Sequence, residues 1–90
     1  MDTLSDQDVA EAVATLRSEG ERFPQFAMLK TIPDQMQQLW DAIKSEDQAR
    51  INQVGHVLMA VAQTLPTEES KKISETKPVL DQLLSRVELG

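Results

Sequence analysis

Hydrophobic residues recur at helical spacing near the start of the chain. The stripe consists of Val9, Ala12, Val13 and Leu16, which follow one another at the spacing of successive helical turns. Ser5 precedes the stripe as a candidate N-cap with acidic residues after it, and Gly20 follows as a candidate stop. The pattern predicts a first helix over about residues 6–19.

Two prolines divide the next part of the chain. Pro24 and Pro33 can each occupy the first position of a helix, because proline has no N–H to leave unpaired there. We therefore predict a short helix at residues 24–30 and a longer one at 33–44. The longer helix has a stripe suited to a core, made of Met36, Leu39, Trp40 and Ile43.

The most regular stripe lies in the middle of the chain. It consists of Ile51, Val54, Leu58, Val61 and Leu65, at alternating steps of three and four residues. Ser45 and Gln48 have the spacing of a capping box in front of it, and Pro66 cannot continue a helix behind it. These signals predict a central helix over residues 46–65.

A polar linker then leads to Pro78, which we expect to open a last helix over residues 78–88. No segment shows the alternation of period two that is typical of strands. The fold class predicted is all-α: an antiparallel four-helix bundle with one extra short helix, in a single domain over residues 1–90.

The composition excludes several classes of function. The formal charge of −6 argues against nucleic acid as a partner and disfavours anionic membranes, because phosphate binding needs clustered Lys and Arg. With no cysteine and one histidine, the chain lacks the usual ligands of a zinc site, and no glycine-rich loop follows a strand. We expect no metal ion, no cofactor and no enzymatic activity.

The distribution of hydrophobic residues also bears on location. The longest uninterrupted hydrophobic run, residues 57–62, is far shorter than the roughly 20 residues of a membrane span. The acidic first residues lack the basic and hydrophobic regions of a signal peptide. A soluble, cytoplasmic protein in a reducing compartment is expected.

The single histidine, His56, lies in the central predicted helix. At about 100° of rotation per residue, it falls opposite the hydrophobic stripe and should be exposed. Its neighbours on that ridge are small, uncharged or flexible: Ala49, Asn52, Gln53, Met59, Ala60 and Gln63. An uncharged helix surface is typical of a face that another molecule covers, so we interpret the ridge as a binding face for a protein partner.

Other interpretations of the ridge stay open. The alternatives are a surface without function, a contact inside a bundle of different register, a homodimer seam, and the surroundings of a reactive histidine. The last interpretation depends on a pattern of residues across the central part of the chain. The pattern comprises Leu39, Ala42 and Ile43, then Asp47 and Ile51, then Gly55 and His56, and finally Leu58, Ala60, Ala62 and Leu65.

This pattern resembles the histidine-containing phosphotransfer family, small acidic four-helix bundles of bacterial and plant phosphorelays, over residues 26–65. The resemblance implies that His56 is a phosphoacceptor and that the partner is a response-regulator receiver domain. Two positions depart from the family pattern, since Met59 stands where the family has Lys and Ala60 stands where it has Gly.

Overall fold

The computed structural model describes residues 4–88, and these residues form helices, turns and no strand. The helices are α1 (Asp6–Arg22), α2 (Met28–Lys44), α3 (Gln48–Ala62) and α4 (Lys71–Leu84). The predicted all-α fold class is therefore confirmed over the described residues. Within this range no helix is both long and apolar enough to cross a membrane.

The start of α1 matches the prediction. The Ser5 hydroxyl accepts a hydrogen bond from the Asp8 backbone N–H at 3.1 Å, and the Asp8 carboxylate accepts one from the Ser5 N–H at 3.2 Å. Together they form a capping box that satisfies two otherwise unpaired N–H groups and sets the first residue of the helix.

Gly20 does not end α1, which continues to Arg22 beyond the predicted end at residue 19. No described glycine has a positive φ, so Gly20 is not a left-handed cap. A Cβ built on it would lie 3.3 Å from the Leu29 Cβ, tighter than an ordinary contact. The glycine instead allows α1 to pack closely against the beginning of α2.

One helix, α2, replaces the two predicted at 24–30 and 33–44. Residues 24–25 form a turn, and α2 begins at Met28 and continues through Pro33. Proline at this position removes the hydrogen bond to the Leu29 carbonyl, but the Pro33 ring is buried in the core. Burial of the Pro33 ring and of the hydrophobic residues before and after it in α2, among them Ile32 and Met36, offsets the lost hydrogen bond.

The turn between α2 and α3 also differs from the prediction. Ser45 ends α2 rather than capping the next helix, and Glu46 has a positive φ of 56°. Asp47 is the N-cap of α3, with its carboxylate accepting from the Arg50 N–H at 3.2 Å. The predicted capping box of Ser45 and Gln48 and the helix start at 46 are wrong, because the carboxylate of Asp47 satisfies the first turn instead. The predicted end at residue 65 is also wrong, since α3 ends at Ala62 and the residues after it form a tighter turn.

The last helix, α4, begins at Lys71 and contains Pro78, so Pro78 does not open it. The carbonyl of Ser74 thereby lacks its helical donor, but Ser74 and Pro78 are both exposed and water can satisfy that carbonyl. The helix ends at Leu84 rather than at residue 88. Burial of Ile73 and Thr76 stabilises the N-terminal half of α4. The preference of proline for the first position of a helix does not indicate this half.

The hydrophobic core lies between all four helices. Helix α1 contacts α2 and α4, α2 also contacts α3 and α4, and α3 contacts α4. The largest fully buried hydrophobic residues are Leu16, Leu29, Ile32, Met36, Leu39, Leu58, Ile73, Leu80 and Leu83. Helix α3 therefore has one side in the core and its opposite side in solvent, and this opposite side holds His56.

Candidate functional site

His56 is exposed on the outer side of α3, where the rotation count predicts it. The structure divides the predicted seven-residue ridge into two groups. The exposed group is Ala49, Gln53, His56, Ala60 and Gln63. Asn52 and Met59 are only half-exposed: Asn52 bonds the segment after α4, and Met59 packs against the hydrophobic core.

Asn52 is engaged by other parts of the chain. Its side-chain oxygen accepts from the Gln48 amide at 2.9 Å and from the Glu88 backbone N–H at 2.9 Å. The Gln48 amide also donates to the carbonyl of Arg86 at 3.3 Å. This edge of the ridge therefore anchors the segment after α4 and is not free for a partner.

Close packing at Gly55 sets the rotation of α3. A Cβ built on Gly55 would lie 2.1 Å from the Val87 Cγ2, so Val87 occupies the space that any larger residue would need. The core side of α3 accordingly includes Gly55 and Ala62, whereas Val54 and Val61 are only half-buried. The buried stripe of α3 is therefore rotated from the predicted stripe toward Gly55. The contact with Val87 accounts for this rotation, and the periodicity within α3 alone does not show it.

Met59 packs against the core from its half-buried position. It is one of the residues that the sequence assigned to the partner face, and its contacts give it a structural role. A substitution there would disturb folding as well as the surface.

Val57 is the exposed large hydrophobic residue of the described chain, with 51% of its surface accessible. It lies on the outer side of α3 beside His56 and was not among the predicted site residues. The rotation count does not predict this exposure, because position 57 falls only about 80° from the centre of the predicted stripe. The shift of the core side toward Gly55 and Ala62 leaves Val57 in solvent.

A shallow groove of about 550 Å³ runs between α2 and α3 next to Val57. Its lining residues are Gln35, Gln38, Asp47, Ala49, Arg50, Gln53, Val54 and Val57. The side-chain oxygen of Gln35 is buried there and has no hydrogen-bond partner within the described chain. The groove extends the outer side of α3 onto the neighbouring helix, with Asp47 and Arg50 as its charged lining residues.

The electrostatics of α3 set it apart from the rest of this acidic chain. Residues 51–67 contain no Asp, Glu, Lys or Arg, although 27% of the whole sequence is charged. Arg50 is the one charged residue of α3. The outer side of α3 is therefore a nearly neutral surface on a chain of net charge −6.

The perturbed carboxylates lie on α1 and serve its contacts with other elements. Glu19 is buried, accepts a hydrogen bond from the Ser70 hydroxyl and pairs with Arg22 at 3.3 Å. The bond from Ser70 holds the pKa of Glu19 below its usual value, against the opposing effect of burial. This arrangement ties α1 to the residue that precedes α4.

Within residues 4–88 no group of three His, Asp or Glu side chains is arranged to share a metal ion. Asp34 instead pairs with Arg17 at 2.9 Å, and Asp41 accepts from the Gln37 amide at 3.3 Å. These carboxylates therefore make surface contacts. The candidate site of the molecule is the outer side of α3.

Comparison with known proteins adds no assignment, since no protein-family model, no curated protein and no solved structure matches the chain.

Proposed function

We propose that this chain is a non-enzymatic helical adaptor that binds a protein partner through the α3 outer face. This name denotes the exposed residues Ala49, Gln53, His56, Val57, Ala60 and Gln63. The observation that supports the proposal is the exposed Val57 beside a helix surface that is free of acidic residues, on an acidic chain. Exposed hydrophobic surface with a polar, uncharged rim is the composition that partner surfaces favour.

The surroundings of the face suit a binding role. Gly55 against Val87 and Asn52 against Glu88 hold α3 on its other side, so the outer face is presented by a well-packed helix. A surface that is ordered before binding loses little conformational entropy when a partner docks.

We infer that the helices run antiparallel as an up-and-down bundle. The inference is supported between α1 and α2, where Asp6 at the start of α1 pairs with Lys44 at the end of α2 at 3.0 Å. Arg17 and Asp34 meet nearer the opposite ends of the same helices. We also place the protein in the cytoplasm, which agrees with a sequence that contains no cysteine.

The test compares two matched variants in a pull-down from extract of the source cells. Ala60→Glu puts a carboxylate on the α3 outer face, and Ala14→Glu makes the same change at an exposed position of α1. The wild type and Ala14→Glu should retain the same partners, and Ala60→Glu should lose them. Equal capture by all three folded chains contradicts the proposal.

A second candidate function is phosphotransfer through His56, and the exposure of its imidazole on α3 favours it. An imidazole nitrogen of His56 would attack the phosphorus of an aspartyl phosphate on a receiver domain, and the bond from the phosphorus to the aspartate oxygen would break to release the aspartate. Incubation with phosphorylated receiver domains should then give an acid-labile, base-stable label. His56→Gln should abolish the label and Gln53→Ala should retain it, whereas an unlabelled wild type with every receiver tested contradicts this function.

A further inference from the structure

The α3 outer face has the spacing of a coiled-coil seam. Ala49, Gln53, His56, Ala60 and Gln63 follow one another at steps of four, three, four and three residues. This is the heptad spacing of positions that face a partner helix, and all five residues are exposed. Nothing in the described part of the chain packs over them, so the seam is available to a helix from another molecule.

The seam is self-complementary when two copies of α3 meet antiparallel. The seam residues alternate between heptad positions a and d, and in an antiparallel pair each a position faces a d position of the other helix. In that register Ala49 of one copy faces Ala60 of the other, and Gln53 faces His56. Each contact occurs twice about a two-fold axis, as in an isologous dimer. The alanines allow close approach of the backbones, and the amide and imidazole each offer a donor and an acceptor to the other.

The flanks of the seam fit the same register. Val57, 51% exposed in the single chain, comes beside Arg50 of the second copy. The hydrocarbon stem of an arginine can cover such a side chain while its guanidinium stays in water. The exposed valine thereby gains a contact that the single chain does not provide.

Charge favours a second copy at this face over other faces. Two chains of net charge −6 repel each other, and the helices α1, α2 and α4 all expose acidic residues. The longest stretch without acidic residues, 48–67, contains the whole α3 outer face, and the one charged residue within it, Arg50, is positive. Contact through α3 therefore keeps the acidic surfaces of the two copies apart.

We propose that the partner of the α3 outer face is a second copy of this chain, docked α3 to α3 in antiparallel orientation with Gln53 opposite His56. This inference rests on the proposed function, because it names the partner for the same face. The paired stretch from Ala49 to Ala60 is about 17 Å long at 1.5 Å per residue. A contact of this length is small for a specific interface, so we expect a dissociation constant of about 10–100 µM.

Sedimentation equilibrium over a range of concentrations tests the dimer. The wild type and Ala14→Glu should both shift from monomer to dimer as concentration rises. Ala60→Glu should weaken the dimer at least tenfold, because it puts an unpaired carboxylate against Ala49 of the other copy. A wild type that stays monomeric to about 1 mM, or an Ala60→Glu variant that dimerises like the wild type, overturns the inference.

A charge-pair variant tests the register. The double variant Ala49→Lys/Ala60→Glu should dimerise at least tenfold more tightly than Ala60→Glu alone, because each new carboxylate then faces a new ammonium across the seam. Within one chain the two positions lie three turns apart and do not meet. Failure of the second substitution to restore dimerisation overturns the antiparallel register.

Cross-linking provides an independent measure of the register, since the natural chain has no cysteine. An equimolar mixture of Ala49→Cys and Ala60→Cys chains should form the mixed disulfide in preference to either homodisulfide, because a disulfide needs Cα atoms within about 7 Å. Predominance of the homodisulfides overturns the proposed orientation.

The outcomes separate this inference from the proposed function. If the chain is monomeric but Ala60→Glu still abolishes capture of another protein, the second copy is excluded and the adaptor function stands. If neither self-association nor capture depends on Ala60, both proposals fail.

Discussion

Gly55 in α3 and Val87 after α4 are packed so closely that a Cβ built on Gly55 would lie 2.1 Å from the Val87 Cγ2. The contact joins the last described segment of the chain to α3 at the residue next to His56. It buries Gly55 and leaves His56 exposed on the other side of the helix. The orientation of the candidate binding face therefore depends on this pair.

We predict that Gly55→Ala lowers the free energy of unfolding by about 1–3 kcal/mol, because the added methyl group overpacks the contact with Val87. Without that contact the same change would stabilise the helix by about 1 kcal/mol. Urea denaturation followed by circular dichroism measures the difference.

The double variant Gly55→Ala/Val87→Ala is the matched control. Truncating Val87 removes the methyl groups that the new Cβ would meet, so the two substitutions should be strongly non-additive. A Gly55→Ala variant that is more stable than the wild type would contradict the close contact.

Replacement of Pro78 by alanine should raise the free energy of unfolding by about 1–3 kcal/mol, because Pro78 lies inside α4 and denies Ser74 its helical hydrogen bond. Pro78 is exposed, so its removal costs little packing. Pro66→Ala, in the connection between α3 and α4, should bring no comparable gain. Thermal or urea unfolding of both variants makes the comparison, and an unchanged stability of Pro78→Ala would mean that Pro78 opens the helix instead.

Glu46 adopts a left-handed backbone conformation between α2 and α3, with φ of 56°. Glycine has no Cβ to strain this conformation, so Glu46→Gly should raise the free energy of unfolding by up to about 1 kcal/mol. Glu46→Ala retains a Cβ and controls for loss of the charge. If both variants change stability equally in urea titrations, the gain comes from the charge and not from the backbone.

The Trp40 indole N–H donates to the Asp6 carboxylate at 2.6 Å, and Lys44 lies 3.0 Å from the same oxygen. The bond from Trp40, assisted by Lys44, holds the pKa of Asp6 below its ordinary value of 3.8. Because the lowered pKa favours the ionised form in the folded state, Asp6 contributes stability above that ordinary value. The contribution is lost as the pH falls through the pKa of the folded state.

Asp6→Asn should therefore be less stable than the wild type near neutral pH. The difference should begin to shrink near pH 3.8 and disappear once the pH is below the pKa of Asp6 in the folded state. Fluorescence of Trp40, the single tryptophan, should show a transition in the same acidic range that Asp6→Asn lacks. Asp41→Asn, at an exposed position of α2, should keep this transition. Persistence of the transition in Asp6→Asn would assign it to another group.

The proline and glycine signals show where local sequence stops determining the fold. Pro33, Pro78 and Gly20 predict helix boundaries, yet all three lie within helices. A proline costs roughly 3 kcal/mol inside a helix and a glycine about 1 kcal/mol. Several buried hydrophobic side chains, at about 1.5–3 kcal/mol each, exceed that cost once a neighbouring helix is present to bury them.

The sequence by itself determined the all-helical class, the cap at Ser5 and the exposure of His56, because local hydrogen bonds and the 3.6-residue period govern these features. Only the tertiary structure decided which neighbours of His56 are free. Val87 against Gly55 and Glu88 against Asn52 involve residues more than thirty positions apart, which no periodicity within α3 contains. The bond from Glu88 withdraws Asn52 from the predicted ridge, and packing against the core withdraws Met59. The rotation of α3 that places Gly55 against Val87 leaves Val57 exposed.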